Sequence, residues 1–349
     1  MNIREKREKL ELKTLHPRAC KSVQTRGREV AEKPCPVRTV FQRDRDRIIH
    51  SKAFRRLGRK TQVFLNPDGD HYRTRLTHTL EVTQISRTIA GALGLNEVLA
   101  EAIALGHDLG HTPFGHSGES VLNSLRRERG GFHHSIQSRR VVEKVEKGGQ
   151  GLNLTYEVKN GIEKHSKGRG PILSTSKEIL PATLEGQVVR LSDIIAYVNH
   201  DLLDAVRAGL FCLEDVPGEI LDILGKTHSE RVGKLVLSVI ESTDLEKDEN
   251  LQIHPAMVAA LSELREFLYE NCYESPQLRR EFEKAERLFA DLWKFYHEHN
   301  HLIPHYKEDE DLIDNLTDFL AGMTDKYAIK IWKEISVPRS WFGSTLPVD

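Results

Sequence analysis

The sequence predicts an all-α protein, and three observations carry that reading. Apolar residues recur at helical spacing through the long segments. Stretches suited to strands, such as Thr61–Leu65, are few and short. Joints rich in glycine, proline or charge separate the periodic segments.

Residues 1–37 are polar and carry Pro17, Pro34 and Pro36, which predicts an irregular, partly mobile lead-in. Phe41, Ile48, Ile49, Ala53, Phe54 and Leu57 then recur at helical spacing among charges, predicting a helix from Phe41 to Leu57. Asn66-Pro67-Asp68-Gly69-Asp70 reads as a turn. A second helix is expected from about Arg75 to Leu93, with Leu76, Leu80, Ile85, Ile89 and Leu93 as its apolar stripe. A third starts at Asn96, contains Val98, Leu99, Ile103 and Leu105, and is stopped or kinked by Pro113. Flexible joints at 148–151 and 166–171 flank a short helix near Tyr156–His165, and a long helix follows from roughly Ala182 to Ala208. From about Leu213 amphipathic helices alternate with polar joints such as 244–250, without internal repeats. The expected organisation is a lead-in (1–37), a core (38–212) and a C-terminal helical region (213–349) packed on that core.

Composition excludes several classes. With 38% hydrophobic and 30% charged residues the chain resembles an ordinary soluble globular protein. It holds no run of eighteen apolar residues, and its first ten residues carry four basic and two acidic side chains, unlike a secretory signal. Cys20, Cys35, Cys212 and Cys272 lack CxxC spacing, so neither a disulfide framework nor a zinc knuckle is expected. A cytoplasmic protein with no membrane partner follows. The net charge of −1 hides an asymmetry: residues 1–60 hold 19 Lys/Arg against 7 Asp/Glu. Such a block suits polyanions, either nucleotide phosphates or nucleic acid.

Seven of the 17 histidines fall between His71 and His134, although histidine has no strong helix preference that would gather them. At their centre lies His107-Asp108-Leu109-Gly110-His111-Thr112-Pro113-Phe114-Gly115-His116-Ser117-Gly118-Glu119. Adjacent His107 and Asp108 offer one nitrogen and one carboxylate oxygen, a mixed set suited to octahedral Mn, Fe, Mg, Ni or Co. His78 and Asp193, on two other helices, are candidates to complete it. Asp193, Tyr197 and Asp201 follow i, i+4, i+8 spacing, so polar groups line one face of an otherwise apolar helix, where a carboxylate needs a partner. Each residue alone has a plain reading as a hydrogen-bonded histidine or a salt-bridged aspartate. The combination is what points to a metal.

His78, the His107-Asp108 pair and Asp193 resemble the H…HD…D signature of the HD superfamily. Longer strings are similar to its dGTP triphosphohydrolase branch: Phe41–Leu57, Lys60–Phe64, Asp70–His78, His107–Glu119, Phe132–Ser138, Gly161–Ser166 and Ala321–Ala328. The resemblance spans roughly residues 15 to 335. It departs at Ser135, where an asparagine or similar amide is expected. It implies an HD-domain helical bundle with additional C-terminal helices, and hydrolysis of deoxynucleoside triphosphates to deoxynucleoside and tripolyphosphate. On this resemblance His78, His107, Asp108 and Asp193 hold a divalent metal. His116 protonates the departing 5′ oxygen, Glu119 orients it, and His134 handles a proton or contacts phosphate. Arg75, His111 and His165 meet the triphosphate. Tyr197 lies under the deoxyribose, where it excludes a 2′-hydroxyl, and Asp201 accepts from the 3′-hydroxyl. The resemblance also implies a homo-oligomer, tetramer or hexamer, with a second dNTP as effector.

The basic stretch Arg38–Lys60 retains three readings: a solvated face with Asp44 and Asp46 pairing locally, a subunit interface or effector pocket, or a single-stranded nucleic-acid surface. Two further classes compete with the triphosphohydrolase. One is another HD phosphohydrolase, a 5′-nucleotidase or phosphodiesterase. The other is a nonenzymatic nucleotide or single-strand binder. The His116, Glu119 and His134 set and the Tyr197–Asp201 pair favour the triphosphohydrolase.

Overall fold

A computed structural model of the chain describes residues 1–63, 73–166, 168 and 170–338. Among these residues the fold is all-helical. In chain order the helices are α1 (Ile3–Thr14), α2 (Val40–Ile49), α3 (Lys52–Leu57), α4 (Arg75–Ala92), α5 (Glu97–Gly106), α6 (His116–Leu125), α7 (His134–Arg140), α8 (Tyr156–Lys164), α9 (Leu184–Arg207), α10 (Gly218–Leu224), α11 (His228–Ser242), α12 (Pro255–Leu268), α13 (Pro276–Glu298), α14 (Leu312–Ala321) and α15 (Asp325–Ser336). The expected strand at Thr61–Leu65 reduces to one antiparallel bridge, Thr61 to Thr74, its last two residues lying outside the described ones. The turn expected at 66–70 also lies outside them.

Helix starts follow capping chemistry. Thr74 accepts from the Thr77 amide, Asn96 from Val98 and Leu99, and Thr183 from Gly186. The single helix expected over 41–57 is two, because Ser51 caps a new start by accepting from the Phe54 amide. α5 stops at Gly106, well before Pro113. The physical reason is close packing: a Cβ on Gly110 would lie 2.1 Å from the Ser138 amide nitrogen, so the chain turns under α7. His107 and Asp108 thus stand at the end of a helix and not within one. Leu80, expected in the buried stripe of α4, is exposed.

The lead-in opens on α1, which the expectation of an irregular segment did not include, whereas residues 15–37 are irregular apart from a short turn at Ser22–Gln24; the segment is docked. Asn2 and Glu5 form a capping box on α1, and His16 donates its amide to Gly94 O at 2.8 Å. Arg28 pairs with fully buried Asp44, whose other oxygen accepts from the Thr155 amide and hydroxyl at 2.9 and 2.6 Å. Removing one partner of such a pair strands the other charge, so Asp44→Ala should lose about 3–5 kcal/mol of stability. Urea unfolding checks this, and a loss within experimental error would remove the anchoring role.

Four arginines of the basic stretch are ion-paired in place. Arg43 and Arg47 pair with Glu32, Arg38 with Asp46, and Arg45 with Asp46 and Glu101. Local pairing is therefore what these four side chains show.

Helix α4 packs against α5 and α9, and α8 bridges α5, α7 and α9. Their apolar faces make one core that continues through α10–α12 to Leu278, past residue 212. A second core joins Phe114, Leu122 and Phe132 to α13, α14 and α15. The loop 107–115 lies between the two, which is where the chemistry gathers.

Candidate active site and metal centre

Three helices converge on the metal-ligand candidates. His78 from α4 sets its Nε2 3.1 Å from Asp193 Oδ1 on α9 and 4.0 Å from Asp108 Oδ2. His107 Nε2 lies 3.5 Å from Asp108 Oδ1 and 3.9 Å from Asp193 Oδ1. His107 Nδ1 donates to Ala104 O at 2.6 Å, so Nε2 carries the lone pair. That nitrogen is buried without a hydrogen-bond partner. A buried acceptor left unsatisfied costs about 1–3 kcal/mol, and an ion among these four groups removes the cost. The bond to Ala104 also fixes the tautomer that ligation needs. The residues present therefore fit a divalent metal ion.

The carboxylates are held in their charged form. Burial pushes Asp193 up, but opposing interactions, the His78 hydrogen bond first among them, bring the carboxyl down to about 2. Burial likewise opposes ionisation of Asp108, yet its charged neighbours, Arg75 among them, hold it well below the usual range. Arg75 Nη1 donates to Asp108 Oδ2 at 2.7 Å, so the guanidinium expected at the triphosphate lines the cavity while bonded to a ligand candidate.

Two other groupings of titratable side chains lie close by, Asp108–His111–His134 and Glu119–His133–His134. Neither offers a free lone pair on His134. His134 Nδ1 lies 3.0 Å from Glu119 Oε1, and a carboxylate can only accept. His134 Nε2 meets His165 Nε2 at 3.3 Å, while His165 Nδ1 donates to Ile162 O at 2.7 Å. Burial, then His107 and His134, push His165 down to about 3, so it is neutral and its Nε2 accepts. His134 consequently carries both protons. This agrees with its raised pKa, where burial opposes the charge and Glu119 prevails. Glu119 is held well below its ordinary value, with burial outweighed by His134 and His116.

This pair has a defined pH signature. Stability from Glu119 is present above its ordinary 4.5 and fades as pH falls towards the lowered value; stability from His134 is present below its ordinary 6.5 and fades as pH rises through the raised one. The contribution peaks between those two ordinary values. Glu119→Gln should let burial dominate and bring the His134 titration below that of wild type. Ring resonances followed by NMR would show this, and an unmoved titration would break the pairing.

His116 opens α6 and is exposed, with Nδ1 3.8 Å from Glu119 Oε2. Glu119 is thus closer to His134, through side chain and backbone amide, than to His116. His111 stacks on His134 with ring centroids 4.3 Å apart and keeps a buried, partnerless Nδ1. His165 sits fully buried behind His107 and His134 and is not on the cavity wall. Ser135, at the departure from the family pattern, donates its hydroxyl to His133 Nδ1 at 2.8 Å.

These groups open on a cavity of about 790 Å³, large enough for a nucleotide. Tyr197 and Asp201 line it from α9. Asp201 accepts from Tyr273 through one oxygen, while its other oxygen is buried without a partner. Burial raises its carboxyl to about 6 against that hydrogen bond. The lining also includes Arg265, Tyr269 and Tyr273, which sequence reasoning missed. Their i, i+4, i+8 spacing mirrors Asp193, Tyr197 and Asp201, and was the available signal. A π-turn at Tyr269–Tyr273 ends α12 there.

The HD domain family matches residues 75–198, from Arg75 through every ligand candidate to Val198. A phosphohydrolase-associated domain matches 251–334, the region supplying Arg265, Tyr269 and Tyr273. A deoxyguanosinetriphosphate triphosphohydrolase-like protein of Caldanaerobacter subterraneus subsp. tengcongensis is 52% identical over 99% of both chains. The chain belongs to the deoxyguanosinetriphosphate triphosphohydrolase-like family. Other members include one from Desulfatibacillum aliphaticivorans, 48% identical over 97% of this chain and 99% of its own. Another, from Clostridium tetani, is 46% identical over 97% of both. In this triphosphohydrolase-like chain both matched domains contribute residues to the cavity lining, and no described helix is long and apolar enough to cross a membrane.

Proposed function

We propose that this chain hydrolyses deoxynucleoside triphosphates at the α-phosphorus, releasing deoxynucleoside and tripolyphosphate in a metal-dependent reaction. The observation that carries the reading is the buried, partnerless His107 Nε2 among His78, Asp108 and Asp193, beside a cavity lined by Tyr197 and Asp201. A divalent ion bound by those four residues supplies Lewis-acid neutralisation of charge developing on the α-phosphate. Arg75 keeps Asp108 in place and ionised. His134, doubly protonated and anchored by Glu119, presents positive charge beside the phosphate path together with neutral His111. His116, at the mouth, donates a proton to the departing 5′ oxygen, with Glu119 as its neighbour. His165 holds the Nε2 side of His134. Tyr197 packs under the deoxyribose, and the free oxygen of Asp201 accepts from the 3′-hydroxyl. Arg265, Tyr269 and Tyr273 complete the lining beside Tyr197 and Asp201.

The test is direct: metal-loaded protein is incubated with each dNTP, singly and mixed, and products are resolved chromatographically. Deoxynucleoside with tripolyphosphate is expected. Pyrophosphate with dNMP, or stepwise release of phosphate, would reassign the roles above and favour another HD phosphohydrolase. Tyr197→Ala should chiefly weaken deoxyribose positioning and discrimination against ribose, read from the ratio of kcat/KM for dNTP and NTP. The family resemblance further supports a homo-oligomer, tetramer or hexamer, activated by a second dNTP. A monomer by light scattering with and without nucleotide would remove that part. Single-strand binding is the weaker partner proposal, because Arg38, Arg43, Arg45 and Arg47 are already ion-paired.

A further inference from the structure

The loop that carries His111 to His116 is gripped from outside the HD match at both ends. Lys60 is buried and donates through Nζ to His111 O and, at 2.9 Å, to Ala321 O at the end of α14. Asp325, the first residue of α15 and equally buried, accepts the Phe114 amide through Oδ1 at 3.1 Å. Its Oδ2 accepts the Thr61 amide at 3.0 Å and the Thr61 hydroxyl. Phe114 and Gly115 both have positive φ, at 62° and 56°, and Phe114 is a non-glycine residue in that region. Such a conformation persists only where the surroundings enforce it. Gly115 leads directly into α6, whose first residue is His116. The same segment ties down the other wall, because Lys60 O accepts the Arg75 amide at 3.1 Å.

We propose that Lys60 and Asp325 form a clamp that joins α14 and α15 to the 111–115 loop and sets the position of His116 for proton donation. Both are positioning residues: neither lines the cavity, and each acts through backbone atoms of the loop. The clamp gives the C-terminal helices a role in the chemistry beyond packing, since releasing Phe114 frees the strained turn immediately before His116. The catalytic half of this statement rests on the proposed function; the structural half does not.

Asp325→Asn is the primary variant, since it keeps shape but turns one acceptor into a donor facing N–H groups. Lys60→Met is the second. The expected result is that amide exchange over residues 109–118 accelerates while exchange in α9 and the bound metal stay at wild-type levels. With dNTP, kcat should fall by about 10²-fold, the usual cost of a misplaced catalytic group, with KM little changed. Asp325→Ala should lose more than Asp325→Asn. A purely structural role would instead accelerate exchange in α9 as well, and that outcome overturns the proposal. So does unchanged exchange over 109–118 in both variants, or wild-type kcat despite a loosened loop. If wild-type protein hydrolyses no dNTP, the proposed function falls, and the exchange measurement alone decides whether the clamp exists.

Discussion

His107→Ala and Asp193→Ala should lose bound metal and dNTP hydrolysis together, while helical content stays near that of wild type. His107 contributes the buried Nε2 that has no other partner, and Asp193 contributes the oxygen nearest His78. With either gone, the site loses a donor and the remaining set no longer encloses an ion. Lewis-acid stabilisation is worth several kcal/mol, and each 1.36 kcal/mol is about tenfold in rate, so turnover should drop by roughly 10³-fold or more. The fold should survive. Truncating His107 costs the Ala104 carbonyl its partner, about 1–3 kcal/mol, against a total near 5–15 kcal/mol for a typical protein. Elemental analysis of the purified variants is the measurement. Undiminished stoichiometric metal in both would remove the ligand assignment.

His116→Ala should separate the proton donor from the metal. It keeps metal and fold, because His116 is exposed and outside both cores. It loses most turnover, since general acid catalysis commonly contributes about 10²–10⁴-fold. The competing donor is His134, which holds two protons but commits one to Glu119 and the other towards His165. Releasing a proton from His134 to substrate would break an ion pair with a buried carboxylate. His116 has no such commitment: its nearest carboxylate oxygen, on Glu119, is 3.8 Å away. Hydrolysis in water labelled with heavy oxygen completes the test. Attack at the α-phosphorus with a departing 5′ oxygen puts the label on tripolyphosphate and none on the nucleoside. Label on the nucleoside would reverse the bond assignment, and full activity in His116→Ala would transfer the acid role elsewhere.

Much of the scaffold was legible in the chain because helix signals are local. The apolar periodicity of 75–93 and 182–208 depends on neighbours a few residues away, and α4 and α9 appear within two or three residues of those bounds. The errors also have local causes. Ser51 caps a second helix inside an apparently continuous stripe, and charge in residues 1–37 concealed how many of those charges find buried partners. That His78, His107, Asp108 and Asp193 come together was legible as well, because histidine and aspartate at those spacings have few other reasons to coincide.

What packing decided lies in partners far apart along the chain. Glu119 stands close to both His116 and His134, and only the turn at Gly130–Gly131 and the start of α7 bring the closer bond to His134. The double protonation of His134 follows from His165, which lies 31 residues away. Arg265, Tyr269 and Tyr273 reach the cavity because α12 packs on α9. Lys60 and Asp325 reach one loop from opposite ends of the chain. The sequence by itself determined which segments are helices and which side chains are candidates for the chemistry, since both are written in composition and short-range spacing. The tertiary structure decided protonation and orientation, since those depend on burial and on hydrogen bonds that exist only once distant segments have packed.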